Sequence, residues 1–223
     1  MLEIEYIRKF DLILVDSLEF LFLSMDYPSY DEQNQRFARS SIISSLLLIE
    51  CAANICIASL NLEKNILNEI DRLPILGKFD FYLRVNFRKR HLNRGNHHIE
   101  IIKELKKIRD MLVHPKSHKL EVEIQPDGTG KAEAEVTRNL KVAYDPSFWD
   151  DSQALIILKA VHEFLEFFFK QQCKFSSTKT SNLLFSRNEI PFADGFIPCF
   201  KKSTKIKLLN LKINLSYLKL YWI

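Results

Sequence analysis

The apolar positions set the first expectations. Residues 3 to 25 repeat Ile, Leu and Phe at helical spacing and predict a first helix. "DYPSYDEQNQ" is polar and carries a proline, so it breaks that helix. Helical patterning resumes from about Asn34 to Leu60, and its Leu46–Leu60 half is apolar around most of the circumference. Such a helix belongs at the centre of a core. A short helix to Ile70, a break at Pro74 and another short helix beyond Lys78 follow. "RKRHLNRGNHH" reads as a basic loop, and Ile99 to Val113 as a helix that ends at His114–Pro115. After Lys119 the period changes to strict alternation around "PDGTG", a β-hairpin signal covering about 119–145. Asp150 to Lys174 reads as a last long helix, with Asp150 and Asp151 at its positive end. Beyond Phe175, "SSTKTSN" reads as a linker. "FKKSTKIKLLNLKINLSYLKLYWI" alternates from Leu209 to Tyr217 and reads as an edge strand, a partner-binding peptide or a tail. The predicted architecture is all-α: four or five main helices over 1–175, a hairpin insertion, and a linker and tail over 176–223.

Composition agrees with that picture. Of the 223 residues, 47% are hydrophobic and 27% charged, which is globular rather than disordered composition. Five glycines are too few for a turn-rich β fold. A net charge of +4 permits a nucleic-acid partner without requiring one. The four cysteines, Cys51, Cys56, Cys173 and Cys199, form no C-x-x-C pair, so a zinc knuckle or redox motif is not expected. The opening "MLEIEYIRKFD" has two glutamates before its first arginine, unlike a secretory signal, and a cytoplasmic location is expected. "IISSLLLIECAANICIASL", residues 42 to 60, is long enough for a membrane span. Glu50 at its centre and Asn54 one turn later favour a buried bundle helix, with no membrane.

The stretch "IKELKKIRDMLVHPKSHKL" carries the candidate chemistry. At about 100° per residue, Asp110 and His114 share a helix face one turn apart. Asp110 is therefore expected to accept a hydrogen bond from the imidazole and to hold its orientation and charge. Arg109 lies beside that face with a planar fork suited to phosphate. These groups are enough for RNA cleavage without a metal. The ribose 2′-OH attacks the adjacent phosphate, His114 moves the proton, and Arg109 stabilises the developing charge. An ordinary helix ending has the same ingredients: a histidine at the negative end of the dipole, an Asp one turn back and a following proline.

A helical bundle with Arg109, Asp110 and His114 in this spacing resembles the HEPN superfamily, whose signature is Arg, four to six residues, then His. Glu50, in the alcohol- and alanine-rich second helix, is similar to an acidic residue many members carry there. The resemblance spans roughly residues 1–175. It implies an endoribonuclease of the toxin–antitoxin or phage-defence kind, a two-fold dimer that joins two Arg/His sets in one cleft, and an antitoxin or defence-system partner protein. The alternative of a different class is a non-catalytic HEPN-like module that binds RNA, nucleotide or protein. A purely structural helical dimer is a third reading.

Arg84, Arg88, Lys89, Arg90 and Arg94 lie in a stretch without carboxylates, and Phe87, His91, His97 and His98 are interleaved with them. This reads as a surface that tracks phosphates and stacks on single-stranded RNA, or else as a solvated basic loop. Lys116 adds a cation after the motif. His114 and His118 have the spacing of a metal pair, but Pro115 breaks the helix that would align them and no third ligand follows, so no metal is expected. An acid at mid-helix needs a partner, which makes Glu50 either the orienter of Arg109 or a core group bonded to Asn54. No Gly-rich phosphate loop or G-x-S-x-G elbow is present, and no cofactor is expected.

Overall fold

A computed structural model of the chain describes residues 8–114, 122–124, 130–132, 134–185 and 199–223. Over those residues it is mainly helical: α1 (Phe10–Ser24), α2 (Glu32–Ala58), α3 (Lys64–Asp71), α4 (Ile75–Asn86), α5 (His97–Val113), α6 (Asp151–Glu166), α7 (Ser177–Leu184) and α8 (Lys202–Asn210). The hairpin expected after α5 is present as β1 (Val122–Ile124) antiparallel to β2 (Gly130–Ala132), with Glu123 opposite Lys131. A second two-stranded pair, β3 (Cys199–Phe200) and β4 (Tyr221–Trp222), is parallel, with α8 as its crossover.

α2 is the central element, packed along α1 and against α4 and α6. Its length and apolar composition would suffice to cross a membrane, and here 61% of its most apolar window is buried among the other helices. Small polar residues let α1 and α2 approach closely: the Ser41 hydroxyl donates to the Ser17 carbonyl at 2.8 Å. Buried Asn34 fastens the start of α2 to the start of α6, donating to an Asp151 carboxylate oxygen at 2.9 Å and accepting from the Asp151 N–H at 3.1 Å. Asp150 caps α6 through the Gln153 N–H, as its place before the helix predicts.

α6 continues as a π-helix over Phe167–Gln172, and the Cys173 N–H bonds to the Phe168 carbonyl five residues back. Phe167, Phe168 and Phe169 are all buried. Three consecutive residues fan too widely on an α-helix to face one core. The wider π turn takes a smaller angular step and brings all three inward. There Phe168 meets Phe79 at 4.4 Å and Phe169 stacks parallel to Tyr217 at 6.2 Å.

The C-terminal third differs from expectation. "SSTKTSN" is not a linker: Ser176 caps α7, and Thr180, Ser181 and Leu184 are buried. The alternating 209–217 stretch is not a strand. It is the end of α8 and the turns after it, with Leu208, Ile213, Leu215, Tyr217 and Leu218 set in the main core. Asn214 and Ser216 donate to the two Glu166 carboxylate oxygens, each at 2.6 Å, which ties the segment to α6.

Candidate functional site

α5 presents the motif. Asn96 caps the helix by accepting the His98 N–H at 2.9 Å. Ile99, Ile102, Leu105 and Ile108 form its buried stripe, and that spacing leaves Arg109 and Asp110 on the flank. The helix ends at Val113. His114 leaves helical geometry at φ −123°, ψ 65°, held by its N–H to the Asp110 carbonyl at 2.9 Å. The following proline accounts for the stop.

Arg109 is held from two sides. Nη1 donates to Glu50 Oε2 at 3.1 Å, and Nε and Nη2 donate to Asp110 Oδ1 at 3.2 and 3.0 Å. A guanidinium carries five N–H bonds, so two remain for another oxygen in the same plane. Glu50 thus meets Arg109 across the α2–α5 gap rather than Asn54, whose amide oxygen accepts from Lys78 Nζ at 2.7 Å.

Asp110 departs from its expected role. One oxygen serves Arg109 and the other accepts from Lys106, one turn back, so the carboxylate is occupied and makes no bond to His114. The spacing was suitable, but His114 has left the helix while Lys106 sits on intact helix. Burial raises the Asp110 carboxyl, but the Lys106 and Arg109 bonds and charges outweigh it and hold the group below the usual carboxylate range. The His114 side chain is exposed and has no hydrogen-bond partner among the described residues. The local charges of Arg109, Lys106, Glu50 and Asp110 cancel. A phosphate would therefore be attracted here by directed N–H bonds more than by net charge.

The basic segment divides. Arg84 donates to Asp80 at 2.9 Å, and Arg90 lies over the Phe87 ring and donates to the Gln172 carbonyl at 2.6 Å. Burial raises the Asp80 carboxyl, yet bonds from the Leu92 N–H and Arg84 hold it below its ordinary range. Arg88 and Lys89 are exposed, with Lys89 in the left-handed region at φ 68°. Arg94 is exposed and shares a cavity wall with Arg109. Two rings expected to stack on bases turn inward instead: Phe87 packs on Phe175 at 5.9 Å, and His98 stacks on Phe167 at 4.7 Å. Burial lowers the His98 imidazole, with the His97 charge adding to the effect. Lys116 and His118 lie outside the described residues.

Glu50 also borders a cavity of about 600 Å³ with Arg8, Cys51 and Asn54. Burial pushes the Cys51 thiol up to about 11, so it stays protonated at neutral pH and is a poor nucleophile. A buried acid that pattern reading missed is Glu104. It accepts from the Asn139 N–H at 2.9 Å, the Asn139 side chain at 2.6 Å and the Leu140 N–H at 3.2 Å, docking the 138–140 turn onto α5. Its phase between Ile101 and Leu105, on the buried side of the helix, was the available signal.

No family model matches the chain, and neither a curated protein nor a solved structure does.

Proposed function

We propose that the protein is an endoribonuclease that cleaves RNA without a metal ion, working as a two-fold dimer in a toxin or defence setting. The reading rests on one observation above all. Arg109 is clamped by Glu50 and Asp110 with two N–H bonds to spare, on the helix whose end carries the exposed His114. In the proposed reaction the 2′-oxygen attacks phosphorus and one His114 imidazole takes its proton. The P–O5′ bond breaks, and the departing 5′-oxygen takes a proton from the second copy's imidazole. The products are a 2′,3′-cyclic phosphate and a 5′-hydroxyl. Arg109 donates to the non-bridging oxygens, where charge accumulates. DNA lacks the attacking hydroxyl and is not a substrate.

A second reading, a non-catalytic module that binds RNA, nucleotide or a protein, is favoured by the Asp110 geometry, because Asp110 bonds Lys106 and Arg109 and no carboxylate among the described residues orients the imidazole. Incubation of purified protein with labelled RNA separates the two. His114→Ala is expected to lower the cleavage rate about 100- to 10,000-fold, and Arg109→Ala about 100-fold or more, with the fold intact by circular dichroism. Equal cleavage by His114→Ala removes the catalytic assignment. Binding without cleavage by every form selects the module.

A further inference from the structure

Beside Arg109, between α2, the start of α4 and α5, lies a cavity of about 320 Å³. Its wall is aliphatic: Leu46, Ile49, Leu76, Ile102 and Leu105, each a buried core residue with one side open to the slot. Among the described residues no aromatic ring lines it, so a nucleobase finds no face there to stack on. Among the described residues, every ionisable one at its wall is a cation: Arg94, Lys103, Lys106, Lys107 and Arg109. Three of these are already engaged by carboxylates, Lys103 by Glu100, Lys106 by Asp110 and Arg109 by Glu50 and Asp110. Arg94 and Lys107 are exposed and make no carboxylate ion pair among the described residues. Pro74, Ile75 and Leu76 bring the start of α4 to the same slot, and no side chain caps that helix. Its free first-turn N–H groups add positive potential there.

We infer that this cavity binds a single-chain aliphatic anion, a medium-length alkyl carboxylate, with its chain against α2 and α5 and its head among Arg94, Lys107 and the start of α4. An aliphatic wall favours an alkyl body, and two cations at that wall, Arg94 and Lys107, outside any carboxylate ion pair among the described residues favour an anionic head. The volume corresponds to about ten water-sized groups, which suits one chain of about that many carbons and excludes a two-chain lipid. The inference is independent of ribonuclease activity.

The test is titration of the full chain, with labelled isoleucine methyl groups, against sodium decanoate. Ile49, Ile75 and Ile102 methyl signals are expected to shift together and saturate. Octanoate is expected to bind roughly tenfold more weakly, because two fewer methylenes are buried. The surface double variant Arg94→Glu/Lys107→Glu is expected to weaken decanoate roughly tenfold and to leave the melting temperature unchanged. Ile75→Trp, at the half-exposed mouth of the slot, is expected to block binding. Decanol binding as tightly as decanoate, or adenosine monophosphate moving the same methyls as strongly, would overturn the proposal. So would unmoved methyls, or competition by phosphatidylglycerol vesicles that carry no free carboxylate.

Discussion

His162 and His114 are the same side chain in opposite surroundings. His162 lies on α6, fully buried, with Nδ1 2.9 Å from the Tyr217 hydroxyl and Nε2 without a hydrogen-bond partner among the described residues. Burial pushes it down to about 3, so it stays neutral and serves to join the C-terminal segment to the bundle. His114 ends α5 in solvent, with its backbone fixed and its ring without a hydrogen-bond partner among the described residues. The phenylalanine-rich junction around α6 shuts its polar groups away from solvent, whereas the end of α5 leaves N–H and imidazole capacity open to it. Unspent polar capacity on a fixed backbone is what binding or catalysis can use.

The contrast is broken most severely by emptying the closed region. Phe168→Ala is expected to cost about 3–5 kcal/mol by urea denaturation, whereas His114→Ala stays within about 0.5 kcal/mol. A His114→Ala protein as unstable as Phe168→Ala would place His114 in the core's energetics and end the contrast.

Next in size is acid sensitivity. The folded His162 value of about 3 lies below the unfolded value of about 6.5. Its contribution is therefore fully present above about pH 6.5. It is lost progressively as pH falls toward 3, because only the unfolded chain takes up the proton, a loss on the order of a few kcal/mol. Replacing both partners, His162→Leu with Tyr217→Phe, is expected to flatten this part of the stability–pH curve and to change stability little at pH 7. An unchanged acid slope would assign the sensitivity elsewhere.

Smaller still is the effect of loosening Arg109. Glu50→Gln keeps the shape and removes the charge. It is expected to slow RNA cleavage about 10- to 100-fold through misplacement of the guanidinium. The Glu50–Arg109 pair is partly exposed, so stability should move by less than about 1 kcal/mol. A large stability loss with normal cleavage would make the pair structural. Asp110→Asn should be the mildest, a few tenths of a kcal/mol at neutral pH. The Asp110 carboxyl is held low in the folded state. Its stabilising share is therefore present above the unfolded value near 3.9 and disappears as pH falls through the folded value. Thermal melts of both proteins should converge in strong acid.

The main helices were legible because each carries its apolar residues at helical spacing, and Asp150 and Pro115 mark ends that chemistry alone enforces. α7 was not legible, because it buries Thr180 and Ser181, residues whose letters read as loop. The π-helix after α6 depends on where the core lies relative to three phenylalanines, which no local pattern states. At the candidate site, the mid-helix charge of Glu50 and its need for a partner pointed to Arg109. The Asp110–His114 bond failed because spacing gives a helix face but does not say which of several donors wins it. Lys106 and Arg109 were nearer on intact helix. Glu104 was hidden for a related reason: its partners, two backbone N–H groups and the Asn139 side chain, lie 35 and 36 residues away.

The most direct test of the open region is chemical. An RNA and the DNA of the same sequence are incubated with the protein in excess chelator, and product ends are read by mass spectrometry. RNA is expected to be cut to 2′,3′-cyclic phosphate and 5′-hydroxyl ends while DNA remains whole. Cutting of both polymers, or RNA products with 5′-phosphate ends, would contradict it.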